Sequence, residues 1–385
     1  MRRWWIAISS VLPVLLLTGC LAKVEINDQL FVLSLYLDKD VEKNEYTVTI
    51  SSPLPNRLSN GAGSGSGQGQ PFALVTESAP TIPLALNAIQ RQMTRKLDFS
   101  HTRVIVIGNR LARAGLEDLF NWTLRERALD YSTFVMISPQ DARSASELTP
   151  VFETMPSTVL KRFAVQNNVM GTTLKDCLSG YMAGTGYAMN QLSITEKPVS
   201  SQSKTEKWAG VDGIGLFDST RLKSVLNIQQ TRVIAWAIGS RKTPIYRPVY
   251  SVLWDGGRSK ASVLFTHSES SKTISMTSSG PLVTIKLRGT ADVLSLKDDK
   301  RREPTESNTY IIKELNDQIG GHLREALTIS QENGADILKI GQLLNARYPD
   351  VWQELKQDWA GNYKNQVEFQ IKLKLDIRNT DMQTG

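Results

Sequence analysis

Apolar and polar residues along this chain repeat with two periods, and the switches between them outline the fold. Near the end Val367, Phe369, Ile371, Leu373, Leu375 and Ile377 alternate with Glu368, Gln370, Lys372, Lys374, Asp376 and Arg378, a period of two that predicts a strand covered on one face only. Val283, Ile285 and Leu287 alternate in the same way with Thr284, Lys286 and Arg288. Between these stretches the period becomes helical. Ile312, Leu315, Ile319, Leu323 and Leu327 form one stripe of a helix predicted over 306–328, and further helices follow over 335–348, stopped by Pro349, and over 351–359.

The first half mixes the two periods more finely. Strands are predicted over 29–37 and 46–51, joined by a polar turn carrying Asp38, Asp40, Glu42 and Glu45. A helix over 82–97 has Ile82, Leu86, Ile89, Met93 and Leu97 on its stripe and Arg91, Arg95 and Lys96 off it. A strand at 104–107 ends at Gly108, a second helix covers 116–127, and another strand covers 133–137. The order β-β-α-β-α-β describes an α+β lobe over 21–140. A helical stretch follows over 141–195, with helices at 157–170 and 173–183 and a closing strand near 187–194. The polar run from Glu196 to Lys207, with Pro198 and several serines, reads as a linker or exposed loop over 196–212. Strands return at 213–217 and 223–226, with a helix over 229–237.

The fold class is therefore α+β, in two to three domains of mostly antiparallel or mixed sheet with packed helices. A leader occupies 1–19, an N-terminal domain 20–195, the linker or loop 196–212, and a C-terminal domain 213–385.

The leader changes the picture most. Arg2 and Arg3 precede an uncharged apolar run from Ile6 to Leu17, too short for a permanent span and interrupted by Pro13. Leu17-Thr18-Gly19-Cys20 then resembles a bacterial lipobox, which places lipidation on Cys20 and cleavage just before it. Two acyl chains hold a protein stably where one holds it marginally. The mature chain is then anchored on the outer face of the cytoplasmic membrane.

The formal charge is +7, and loss of Arg2 and Arg3 with the leader lowers it to +5. Its basic residues are scattered, which suits an anionic membrane surface better than nucleic acid. Hydrophobic content of 41% and charged content of 22% are those of a globular protein. There are two cysteines. With Cys20 lipidated, Cys177 has no partner for a disulfide and reads as a small core residue on the face of Leu174, Leu178 and Tyr181.

Candidate chemistry is sparse. His101, His267 and His322 lie far apart with no cysteine or second histidine at ligand spacing, so no metal or cofactor site is expected. Asp38, Asp40, Glu42 and Glu45 read as a solvated hairpin tip rather than an oxygen-ligand cluster. The stretch Gly61 to Gly69 has the glycine spacing of a phosphate loop but lacks the strand and helix such a loop needs, so it reads as flexible chain. Trp208, Trp236, Trp254, Trp352 and Trp359 suit core packing first and an interface second. No catalytic site is expected, and the chain reads as a non-enzyme.

Glu25-Ile26-Asn27-Asp28 with the strand running into Asp38-Lys39-Asp40 resembles the Ger(x)C family, the lipoprotein C subunits of spore germinant receptors. The resemblance continues through Ala85-Leu86 to Leu97, Phe99-Ser100-His101 into Gly108, and Leu111-Ala112 to Gly115-Leu116. Gly213 to Phe217 with Leu226-Asn227 and Thr231-Arg232 is similar to the family's middle signature. Gly334 to Ile337 with Gly341, Tyr348-Pro349, Trp352 and Asp358-Trp359 is similar to its C-terminal domain. The resemblance implies a membrane-held subunit at the inner spore membrane, working with multi-pass A and B subunits in nutrient-triggered germination, and monomeric as an isolated soluble domain. A solute-binding lipoprotein of a transporter is the alternative, expected to show two similar α/β lobes. A cell-wall hydrolase is a third reading that finds no catalytic pair.

Overall fold

The computed structural model describes residues 25–55, 70–149, 153–165, 170–199, 204–239 and 247–378. The expected leader with Cys20, and the glycine-serine stretch 61–69, lie outside the described residues. The described strands are β1 (Gln29–Phe31), β2 (Ser34–Asp40), β3 (Glu45–Pro53), β4 (Phe72–Ala79), β5 (Lys96–Asp98), β6 (Val104–Gly108), β7 (Phe134–Ser138), β8 (Tyr187–Val199), β9 (Lys204–Phe217), β10 (Leu222–Asn227), β11 (Val249–Trp254), β12 (Ser259–Thr277), β13 (Gly280–Lys297) and β14 (Glu368–Arg378).

Eight of them form one sheet in the order β10-β9-β8-β7-β6-β2-β3-β4, and β11-β12-β13-β14 form a second. Both sheets are mixed: β2, β6, β7 and β8 run parallel while β3, β4, β9 and β10 pair antiparallel, and β14 lies parallel to β13 at the edge of the second sheet. Helices cover both sheets, which makes the fold α+β as its periodicities predict.

The burial pattern explains the layering. Leu35, Leu37, Val48, Ile50, Ile105 and Ile107 belong to a core on one face of the eight-stranded sheet, closed by the helices Ile82–Gln90, Glu117–Thr123 and Leu174–Ala183. Tyr36, Val104, Val106 and Met136 face the other way, into a smaller core beneath the helix Pro156–Val165. The third core joins the two sheets: Ala188, Ile214, Leu216 and Leu226 of the first meet Val263, Val283, Ile285 and Leu287 of the second. Between them lie the helices Ile228–Ile238 and Pro304–Glu332, the latter burying Ile311, Leu315, Ile319, Leu323 and Leu327.

Several elements differ from their predicted bounds. The described part of 196–212, expected as a linker or exposed loop, is a β-hairpin, because Glu196 to Val199 pair with Lys204 to Lys207 and continue the ladder of the buried half of β8 and β9. The helix begun at Ile82 ends at Gln90 rather than Leu97. The Gln90 side chain accepts from the Leu97 amide at 2.8 Å and donates to the Arg95 carbonyl at 2.9 Å, folding the chain back so that Lys96–Asp98 becomes a strand beside β1. The helix expected from Ala335 starts at Ile340, since Gly334 and Lys339 adopt left-handed backbone. Strands β4, β11 and β12 are additions.

Candidate functional site

The seam between the two sheets holds a buried carboxylate, Asp336. Asp336 lies in the loop after the long helix and is 1% exposed. Its two carboxyl oxygens accept from the amides of Ile340 at 2.7 Å and Gly341 at 2.6 Å and from Trp359 Nε1 at 3.2 Å. It thereby caps the helix Ile340–Arg347 from four residues upstream and supplies acceptors for otherwise unpaired donors. Burial pushes its pKa up to about 6, with the three hydrogen bonds pulling the other way and Lys272 adding a weaker downward pull. Lys272, half-buried on β12, is itself lowered by burial.

From the other side come the helix Leu174–Ala183 and the turn after it. Thr173 and Asp176 form a capping box at the start of that helix, which fixes the Asp176 carboxylate at its N-terminus. Asp176 Oδ1 accepts from Lys339 Nζ at 3.1 Å across the seam. The backbone joins as well: the Asp336 amide donates to the Thr185 carbonyl at 2.8 Å. Next to it Gly186 has φ of +75°, and a Cβ there would sit 2.5 Å from the Phe217 carbonyl oxygen and 2.9 Å from Ala335 Cα. Only glycine fits at this approach.

These residues line a cavity of about 460 Å³ whose apolar wall includes Phe134, Ala164, Met170, Ile238 and Ile337. It has the size of a small-molecule pocket. Its charged groups, however, are already engaged: Asp176 with Lys339, and Asp336 with backbone amides. The arrangement can fix two units rigidly against each other. Among the described residues it brings together no nucleophile paired with a base.

The residues singled out in the sequence are dispersed. His101 is exposed, its ring centroid 4.7 Å from Phe31. His267 Nε2 lies 3.1 Å from Glu269, and His322 Nδ1 3.7 Å from Glu325. Cys177 is fully buried, and burial pushes its thiol up, away from the reactive thiolate. Trp254, Trp352 and Trp359 are buried, while Trp208 and Trp236 are half-buried, with Lys197 over the first and the Glu269 carbonyl accepting from the second. Asp40 accepts from the amides of Glu42 and Lys43 and so shapes the hairpin tip.

Asp38 departs from the expected solvated tip. Half-buried, it accepts from the Ala142 amide at 2.8 Å and the Arg143 amide at 3.3 Å, and burial raises its pKa. Spacing along a hairpin carries no trace of this, because the partners lie a hundred residues on. Asp336 stood in the Gly334 to Ile337 block of the family resemblance, but nothing in that block marks its carboxylate as buried or its amide as bonded to Thr185.

Arg91, Arg95 and Lys96 are exposed in the turn closed by Gln90, beside the start of the described chain, where Ile26 is 75% exposed.

Residues 22–192 match the family domain described as "Spore germination protein N-terminal domain", and residues 212–381 match "Spore germination B3/ GerAC like, C-terminal". The chain belongs to the Ger(x)C family of spore germination proteins. Spore germination protein KC of Bacillus subtilis (strain 168) is 22% identical over 403 residues, covering 100% of this chain and 97% of that protein. The putative spore germination protein YfkR of the same organism is 25% identical over 368 residues, covering 92% of each. The crystal structure of the GerBC protein shares the fold, with a TM-score of 0.53 at 15% identity over 89% of this chain and 96% of that one. The two matched domains meet at the seam: Asp176, Thr185 and Gly186 lie in the first, Asp336 and Lys339 in the second. The first residues of the second domain, in β9 and β10, extend the sheet of the first. This is a spore germination protein of the GerC type. No helix among the described residues is long and apolar enough to cross a membrane.

Proposed function

We propose that this Ger(x)C protein is the membrane-anchored C subunit of a nutrient germinant receptor, held through lipid on Cys20 at the outer face of the inner spore membrane. It works by binding and assembly with multi-pass A and B subunits, not by catalysis. The observation that carries this reading is the ordered match of both family domains across nearly the whole chain after Cys20. The lipobox supports the anchor. An anchor raises the effective concentration of the subunit for partners in the same membrane.

The solute-binding alternative fits less well. It calls for two similar α/β lobes, whereas the eight-stranded and four-stranded sheets differ in strand order and share one core. The charged groups around the seam cavity are also engaged within the protein, Asp176 by Lys339 and Asp336 by backbone amides.

The test is a deletion strain lacking redundant paralogues, whose purified spores are exposed to a nutrient panel and scored for dipicolinic acid release. A defect with a subset of nutrients, bypassed by a germinant acting downstream, is the expected result. Normal release throughout overturns the reading.

A further inference from the structure

The outer face of the four-stranded sheet carries an arrangement that folding alone does not favour. Val283, Ile285 and Leu287 of β13 point into the core, with Ile371 and Leu373 of β14 packed against it, so the alternate residues of both strands point outward. In the parallel register of these strands Lys286 stands directly opposite Lys372, and Arg288 directly opposite Lys374. All four are exposed. Residues two apart on one strand share a face, so the four cations occupy the corners of a rectangle. None forms an ion pair among the described residues.

Like charges directly opposite each other in a sheet destabilise it. Lysines on an edge strand also guard against edge-to-edge pairing, and that explanation covers Lys372 and Lys374 on β14. It does not cover Lys286 and Arg288, because β13 is an inner strand flanked by β12 and β14. The nearest carboxylates offset the charge only in part. Glu269 stands opposite Arg288 and Asp376 follows Lys374 on the same face, while Asp292 is bound by Arg378, so four cations face two available carboxylates.

We propose that this face is a docking surface for an anionic lipid bilayer. The inference rests on the reading of the protein as resident at a membrane. Charge complementarity calls for an anionic partner, and the surroundings of the rectangle select among such partners. Ser271, Thr273, Thr284 and Gln370 frame it directly, and the aliphatic side chains of the same face, Leu282 and Leu264, stand in registers farther along the strands. A protein partner gains most of its binding energy from buried apolar and aromatic anchors, which the rectangle and its immediate frame do not present. A headgroup surface needs only a flat array of cations, each contributing roughly fivefold to partitioning near an anionic membrane.

The experiment uses the chain from Ala22 onward, which contains every described element and omits Cys20, so its outcome is independent of lipidation. Binding is measured by flotation with phosphatidylcholine vesicles and with vesicles containing phosphatidylglycerol. Binding should rise with the anionic fraction and fall as salt is raised. The variant Lys286→Gln/Arg288→Gln/Lys372→Gln/Lys374→Gln should lose about fivefold for each cation removed, while a control removing the exposed Lys43, Lys161, Lys175 and Lys313 should lose far less.

Removing the like-charge pairs should leave the melting temperature unchanged or higher, and Lys372→Gln/Lys374→Gln alone supplies a milder version. Equal losses in the rectangle variant and the control would show that only net charge matters, and would overturn the proposal. So would a parent chain that ignores anionic vesicles, or one that ignores them yet binds a poly-glutamate peptide.

Discussion

The amide of Asp336 donates to the carbonyl of Thr185 at 2.8 Å, tying the loop after the long C-terminal helix to the turn that opens β8. The same aspartate spends its carboxylate on the amides of Ile340 and Gly341 and on Trp359. One residue thus both shapes the second matched domain and joins it to the first.

Asp336 sets a pH dependence with a definite sign. Its pKa rises from 3.8 unfolded to about 6 folded, so the folded protein binds this proton more tightly. The contribution is fully present below about pH 4 and is lost as pH rises through about 6, on the order of 3 kcal/mol in all. Denaturant titrations at pH 4.5 and pH 7 should show the parent losing more stability over this interval than Asp336→Asn. The asparagine variant should be weaker overall, because its amide group faces backbone donors. Equal pH dependence in the two proteins would contradict this account.

Gly186→Ala should destabilise the protein by roughly 1–3 kcal/mol, because it forces an alanine to adopt a left-handed backbone. The new Cβ also meets the Phe217 carbonyl and Ala335, so the damage should centre on the seam. Hydrogen exchange should quicken at the Asp336 amide more than in β2 or β6. Uniform acceleration would place the strain elsewhere.

Arg302 ties the end of β13 to the start of the long helix. Its guanidinium donates to both carboxyl oxygens of Asp255 at 2.7 and 2.9 Å and of Asp298 at 2.9 and 3.0 Å, with Tyr310 beneath it. Asp255 is held below the ordinary carboxylate range chiefly by Arg302; for Asp298 desolvation pulls upward, and Ser307 and Arg302 outweigh it. Such groups stabilise above their unfolded pKa and lose that contribution as pH falls below about 4. Arg302→Gln should lower the melting temperature by several degrees at pH 7, and the gap should narrow at pH 3. A gap that stays constant would assign the effect to packing on Tyr310.

Cys20→Ala should abolish incorporation of labelled palmitate and leave the precursor uncut or released from the membrane fraction. Label entering the variant as well as the parent would remove the anchor from the account.

What could be read from the sequence followed the strength of one-sided burial. The alternation through Val367 to Ile377 and the stripe of Leu315, Ile319 and Leu323 gave their elements directly, since each has one wet and one dry face. The distal half of β12 was hidden because Ser268, Glu269, Ser271 and Thr273 leave it polar, and its partners come from later in the chain. The seam was invisible for a stronger reason. Asp176, Gly186, Asp336 and Lys339 are ordinary residues of turns and helix ends, and only the meeting of two sheets makes them a unit. The cationic rectangle lay half in view: each strand showed its outward lysines and arginine, but not the register that sets them side by side.

Strand β9 begins at Lys204 in the solvent-side hairpin and ends at Phe217 against the turn at Gly186, and throughout it is bonded to β8 on one side or β10 on the other. A sheet shared in this way resists bending between its two ends far better than a flexible tether does. A push on the four-stranded sheet would therefore move the first lobe of the chain as a lever arm moves, with little motion absorbed at a hinge. In a signalling assembly such stiffness turns a small tilt at one contact into a larger displacement at the other.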